Sequence, residues 1–324
     1  MAESVLQRSS LTTNLDLAAP RGGRSLWFDA WRRLVRNKAA VVALLVITLF
    51  GCLAIAAPLV APYSYEAQDL DHTTAPPSGS HIMGTDQLGR DLFSRLVYGA
   101  RISMAVAIAA QIVIIGIGVP LGLISGYFGG ATDALITRTI DILYAFPNLL
   151  LTILIISYLR ANLSAAVESE QSLWIWQQLD KSTGGLIAVF VVMALTYWIG
   201  VARIVRGQVL SLKEREFIVA THGIGLPVGR VLRLHLLPNI LAPVIVAAAF
   251  GIPGAILLEA SLSYLGLGIQ PPLPSWGGMI SEGLPVMRSY PHLIIFPALT
   301  LSILLLAFTF LGDGLRDALD PLME

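Results

Sequence analysis

The sequence predicts an all-α polytopic membrane protein with six transmembrane helices, one leading helix with its loop followed by a compact core of five. Three observations carry this expectation. The chain is 55% hydrophobic and only 13% charged, about half the charged share of a soluble domain. Six stretches contain no Asp, Glu, Lys or Arg, and each reaches the roughly 18 residues that cross about 30 Å of hydrocarbon as a helix. The basic residues alternate between the segments that join those stretches, which orients the chain.

Taken in order, residues 1–24 are Ser-, Thr-, Asn-, Pro- and Gly-rich with little periodicity and read as a mobile tail. Residues 25–38, SLWFDAWRRLVRNK, set Leu26, Trp27, Trp31 and Leu34 against Arg32, Arg33 and Arg36. This is either a short amphipathic helix on the inner leaflet or the positive flank of the first span. The first charge-free run, 39–65, contains a lipoprotein-like LFGC. It starts late and continues past Cys52, so it is expected to stay as an uncleaved span. Cys52 is the only cysteine, which excludes an internal disulfide or a cysteine metal cluster and leaves a small packing residue.

After an external loop at 61–83, the second run covers 102–132 and places Gly118, Gly122, Gly126 and Gly130 four apart. Small residues on one face let a second helix approach closely; the alternative is a moving, channel-lining helix, and Pro120 should kink it. Runs at 142–159 and 184–202 follow, separated by an external loop at 160–183 whose Trp174 and Trp176 suit the membrane surface. The last two, 240–258 and 293–311, flank an external loop whose PPLPSWGG forces turns. The organisation is therefore a cytoplasmic tail (1–38), a first helix with its loop (39–98), a core (99–314) holding a cytoplasmic insert (206–239), and a cytoplasmic C-terminus (315–324).

With the N-terminus inside, 15 of the 21 Lys and Arg residues fall on inside segments. The positive-inside rule places both termini in the cytoplasm of a cell-membrane protein. Zero net charge and the lack of a polybasic run argue against a nucleic-acid partner and leave the bilayer as surroundings.

Glu259 follows the apolar run GIPGAILL near the outer end of the fifth span. A carboxylate there costs a few kcal/mol unless it meets water or a partner, so it either lines an aqueous path or lies shallow enough to be wet. No other span carries a central charge, which leaves out the chained groups that proton-driven carriers need and disfavours a secondary transporter. No Ser or Asp pair suits an intramembrane hydrolase. The three lysines, Lys38, Lys181 and Lys213, stand in no phosphate-binding loop, and the histidines show no metal spacing. Any uphill transport must draw on ATP and Mg held by another chain; this chain is expected to hold no cofactor and to be no enzyme.

The insert EREFIVATHGIGLPVGRVLRLHLLPN, 214–239, has its own grammar. Ser211 with Glu214 forms a capping-box pattern for a helix through Phe217, Ile218, Ala220 and Thr221. Gly223 and Gly225 would end that helix, Pro227 would open a second, and Pro238 would end the second before the fifth span. The product is a rigid elbow able to transmit a push from a soluble partner.

This segment resembles the cytoplasmic E-A-A loop of ABC importer permeases, which continues with three residues, Gly, nine residues and I-x-L-P. Val219, Ala220 and Thr221 fall on E-A-A, Gly225 on the glycine, and Leu237 and Pro238 on the final L-P. Val219 replaces the glutamate, Thr221 the second alanine and His235 the isoleucine; Glu216 stands near enough to substitute for the missing acid. GTDQLGRDLFSRLVYGARIS (84–103), LLEASLSYLGLGIQPPLPSWGGMI (257–280) and LLAFTFLGDGLRDALDP (305–321) resemble further signatures of the dipeptide/oligopeptide/nickel type, C-subunit form. The resemblance covers residues 25–324 nearly whole.

It implies a type I ABC importer permease core preceded by an N-terminal helix, and half of a path completed by a second permease subunit. It also implies two ATPase subunits that dock on Glu216, Val219, Ala220, Thr221, Gly223, Gly225, Leu226, Pro227, Leu237 and Pro238, and a solute-binding protein outside. Peptide cargo is implied, with nickel or another small solute as the alternative. Glu259, Trp276, Asp86, Arg90 and Asp91 are candidates for the path or an external gate. Asp86, Arg90, Asp91 and Arg95 form either a salt-bridge network or a capped amphipathic helix, and Trp276 is expected to anchor the last loop at the interface.

Overall fold

The computed structural model describes residues 26–168 and 185–320, and those residues are helices joined by turns. The tail at 1–24 and the tryptophans expected at the surface, Trp174 and Trp176, lie outside the described residues.

Residues 26–36 form helix α1, Leu26–Arg36, with Ala30 and Leu34 buried and Trp27, Phe28, Trp31, Arg32 and Arg36 exposed. Asn37 ends it and caps α2, Lys38–Ile55, by accepting a hydrogen bond from Ala40 N at 3.2 Å. Cys52 on α2 is exposed rather than packed. Helix α3, Leu92–Phe128, is 37 residues long, about 55 Å at 1.5 Å per residue. It starts a full ten residues before the charge-free run, because Arg95 and Arg101 are accommodated within it, and it continues unbroken through Pro120.

Gly129 and Gly130 turn the chain into α4, Gly130–Tyr144, which meets α5, Asn148–Glu168, at an 89° bend. The third span, expected as one helix over 142–159, is thus corrected to a bent pair. Pro147 has no N–H to continue α4 and disfavours helical backbone at Phe146; its carbonyl instead accepts from Leu151 N and opens α5. Helices α6, Leu186–Thr196, and α7, Trp198–Leu212, abut at Tyr197 and form one crossing. After α8, Glu216–Gly223, the chain climbs through Val228–Arg230 and a π-helical turn, Val231–Leu236, into α9, Leu237–Tyr264. Helix α10, Trp276–Gly283, precedes the last span, α11, His292–Leu319. Among the described residues, five helical stretches are long and apolar enough to cross a membrane, and the bent α4–α5 pair passes the same test when taken as one span.

The glycine ladder is a packing device. A Cβ on Gly118, Gly122 or Gly126 would lie 2.8, 2.6 or 2.8 Å from α7 atoms, so only glycine lets α3 and α7 touch backbone to backbone. Gly130 departs from the ladder: at φ +53° it starts α4, with open space around it. One buried cluster, including Ala107, Ala110, Val205, Ile240 and Leu304, joins α3, α7, α9 and α11. On that frame α8 sits at one end and α10 at the other.

Candidate functional site

Three groups of residues stand out, one at the insert and two at the opposite end. The insert forms the expected elbow with shifted boundaries. Ser211 caps nothing, because α7 runs to Leu212 and Lys213 N still bonds Val209 O; Arg215 precedes the new helix instead. Helix α8 then closes on Gly225, which takes φ +70°. Leu226 N donates to Thr221 O and Gly225 N to His222 O, each at 3.1 Å. That paired reverse bonding satisfies carbonyls a helix end would otherwise strand, and it needs a left-handed residue at position 225.

Pro227 is the residue before the second helix rather than within its first turn. Pro238 does not end that helix. It lies in the first turn of α9, and the π turn just before it widens the ladder where the proline ring would press on a carbonyl. The insert's second helix and the fifth span are consequently one continuous helical stretch, Val228–Tyr264.

The elbow has two faces. Ile218, Thr221, Val231 and Leu236 are buried, Tyr127 Oη at the end of α3 meets His222 Nε2 at 3.0 Å, and Lys213 Nζ donates to Gly126 O at 3.4 Å. Facing outward are Glu216, Phe217, Val219, Ala220, Gly223 and Ile224, of which Ile224 is 76% exposed. An exposed apolar group flanked by one acid, on a helix rigidly tied to two spans, has the composition of a contact surface.

At the opposite end, both readings of the 86–95 segment hold at once. Asp91 caps α3, accepting from Ser94 N at 2.8 Å and Ser94 Oγ at 2.7 Å, and it also meets His81 Nδ1 at 2.9 Å. Asp86 accepts from Arg90 Nε at 2.6 Å and from Arg95, while Glu282 of α10 takes Arg95 Nη1 at 2.6 Å and Arg90 Nη2 at 3.1 Å. Asp86, Arg90, Asp91 and Arg95 are each buried to more than nine-tenths. The carboxylate that closes the network, Glu282, is one that sequence reasoning missed. It stands 187 positions from Arg95, and nothing local distinguishes it from any surface glutamate.

Glu259 and Trp276 are corrections. In place of the expected wet carboxylate and interfacial indole, both side chains are fully buried within the chain. Ser103 Oγ donates to Glu259 Oε2 at 3.1 Å and Ser263 Oγ to Oε1 at 2.7 Å, while Ser263 Oγ accepts from Ile269 N. The carboxylate is thereby spent on joining α3 to α9 and its following turn. Trp276 Nε1 donates to Leu96 O at 3.1 Å, its ring lies over Gly99, and Phe50 of α2 meets it edge-on. Replacing Glu259 by Leu should lower stability by about 1–3 kcal/mol, since two buried hydroxyls lose their acceptor. Glu259→Gln, which keeps an oxygen and a polar partner, should retain most of it; thermal unfolding in detergent reads both.

Sequence comparison then decides the family. Residues 118–324 match the family described as binding-protein-dependent transport system inner membrane component, and residues 25–77 match the N-terminal TM domain of oligopeptide transport permease C. The chain belongs to the first family. This permease is 43% identical to the oligopeptide transport system permease protein OppC of Bacillus subtilis, over 92% of this chain and 90% of the relative. It is 41% identical to the dipeptide transport system permease protein DppC of Alkalihalophilus pseudofirmus, over 93% and 91%. Against the glutathione transport system permease protein GsiD of Pectobacterium atrosepticum the figure is 36%, over 98% of both chains.

Among solved structures, the permease is similar to a chain of the methionine ABC transporter MetNI in inward-facing form. The TM-score is 0.52 at 20% identity, over 70% of this chain and 96% of that one, a likeness of fold. The protein is therefore a multi-pass permease subunit of an ABC importer, and permeases of this class work with ATPase and binding-protein partners.

Proposed function

We propose that this permease forms half of the translocation path of a di- or oligopeptide importer and receives work from partner ATPases through the α8 elbow. Both termini and the elbow then lie in the cytoplasm, as the positive-inside distribution requires. The single observation that carries the reading is the elbow's construction: an outward apolar surface on α8, a left-handed hinge at Gly225, and an unbroken helix from Val228 to Tyr264 that leads through the membrane. Two ATPase subunits, holding ATP and Mg, close on nucleotide and move that surface; a second, homologous permease supplies the other wall, and a solute-binding protein delivers cargo outside. This chain itself makes and breaks no covalent bond.

Val219, where related loops carry glutamate, is 56% exposed beside Ala220. The contact it makes with an ATPase is then apolar, and Glu216, one turn before Ala220 on the same outward face, supplies the acid. Peptide cargo is supported by relatives named for oligopeptide and dipeptide transport.

The test is reconstitution of the permease with its neighbouring subunits in proteoliposomes, comparing uptake of labelled tripeptide and of nickel. Peptide uptake that depends on ATP and on the binding protein is the expected outcome; uptake of nickel alone, or of peptide on a proton gradient without ATPases, would overturn it. In the same preparation Ile224→Asp should weaken co-purification of the ATPase by about tenfold, the loss of a buried apolar contact worth roughly 1.5 kcal/mol.

A further inference from the structure

Helix α1 presents three faces. Ala30 and Leu34 are buried against the end of α11, where Gly314 and Ala40 lie so close that a Cβ on the glycine would collide, and Arg33 Nη1 donates to Asp320 O at 3.0 Å. These contacts hold α1 at the level where the last span finishes, at one end of the bundle. A second face carries Trp27, Phe28, Trp31 and Val35, all more than half exposed. A third face carries the exposed cations Arg32 and Arg36, with Lys38 following at the start of α2. Asp29 is the lone acid of the helix.

We infer that α1 is a lipid-reading helix that prefers anionic headgroups, its aromatic face sunk to the acyl boundary while Arg32, Arg36 and Lys38 hold lipid phosphates. On α2, the next helix, Val42, Leu45 and Leu49 are about 60% exposed as well, the composition of a lipid-facing side. A helix end pinned to the boundary of a span, with indoles at headgroup depth and cations on the adjoining face, has charge complementary to an anionic surface and to little else at that depth. Because Arg33 and Leu34 join α1 to the last turn of α11, bound lipid bears directly on a core span. The inference does not depend on which cargo the importer carries.

The test uses the full chain in vesicles of phosphatidylcholine with a minority of phosphatidylglycerol, bromine being placed on the acyl chains of one lipid at a time. Trp27 and Trp31 fluorescence is isolated by subtracting the Trp27→Phe/Trp31→Phe protein. Brominated phosphatidylglycerol should quench these indoles more strongly than brominated phosphatidylcholine at equal mole fraction. The combined Arg32→Gln, Arg36→Gln, Lys38→Gln protein should lose that preference, the relative affinity for phosphatidylglycerol falling by on the order of a hundredfold, since each of the three cations near the surface contributes about 1 kcal/mol. Arg32→Lys/Arg36→Lys should keep it. Equal quenching by both lipids, or a preference that survives the triple change, overturns the inference. Quenching by aqueous iodide without effect from either lipid also overturns it, and assigns the face to a protein partner.

Discussion

Replacing Gly225 with valine is expected to leave the permease inserted and folded while separating ATP hydrolysis from uptake. The residue holds φ +70°, a conformation that costs an L-residue about 1–2 kcal/mol and is worst for a β-branched side chain. Nothing lies within 4 Å of a Cβ built there, so crowding is not the cause; the penalty falls on the backbone alone. Relief comes by opening the reverse turn that ties Leu226 and Gly225 to Thr221 and His222, which frees α8 from Val228–Tyr264. Since about 1.4 kcal/mol is tenfold in a population, ATP-driven uptake should fall roughly tenfold. Gly225→Asn, which tolerates the left-handed region, should stay near wild type. Uptake and ATPase rates measured side by side in the assembled importer decide it; normal coupling in the valine protein would refute the elbow as the transmission point.

The second large effect is expected at the opposite end. Asp86→Ala removes the carboxylate that Arg90 and Arg95 share and that also accepts from Leu88 N and Arg90 N. Two guanidiniums would remain buried with Glu282 as their remaining acid, and breaking a buried pair from one side costs about 3–5 kcal/mol. The protein should unfold at a distinctly lower temperature, and the loop between α2 and α3 should become open to external protease, because Asp86 holds its turn to the start of α3. Exchanging both partners, Asp86→Asn with Arg95→Met, should cost less than Asp86→Ala alone, since no charge is then stranded. A double change as damaging as the single one would mean that the network acts in binding-protein contact rather than in holding the loop. Asp91→Ala should be milder, at about 1 kcal/mol, as the loss of a helix cap with its neighbouring histidine contact.

Much of this was legible before any coordinates. Hydropathy and charge spacing placed the apolar centre of each long helix, since the bilayer imposes length and excludes charge there, while several helix ends lie ten or more residues outside the charge-free runs. The elbow's helix, its Gly225 hinge and the packing use of Gly118, Gly122 and Gly126 were readable because they rest on local backbone rules. The misses share a cause. Pro147 breaks the helix of the third apolar segment while the chain stays helical across Pro238, where a π turn takes up the ring, and that difference lies in the local ladder at each site. Ser211 matched a capping pattern, yet α7 was already helical there.

The sequence by itself determined the class of protein, the order of its apolar segments, the lack of a phosphate-binding loop motif, and the position of the elbow. All of these follow from composition, periodicity and turn chemistry within a few residues. Only the tertiary structure decided what the charged groups do. Glu259 looked like a residue that must meet water until Ser103, 156 positions away, was found donating to it. The Asp86–Arg95 pair was ambiguous until Glu282 closed it from α10. A buried charge is stabilised by whatever partner the fold brings within about 3 Å, and partners that distant along the chain leave no mark on the local pattern.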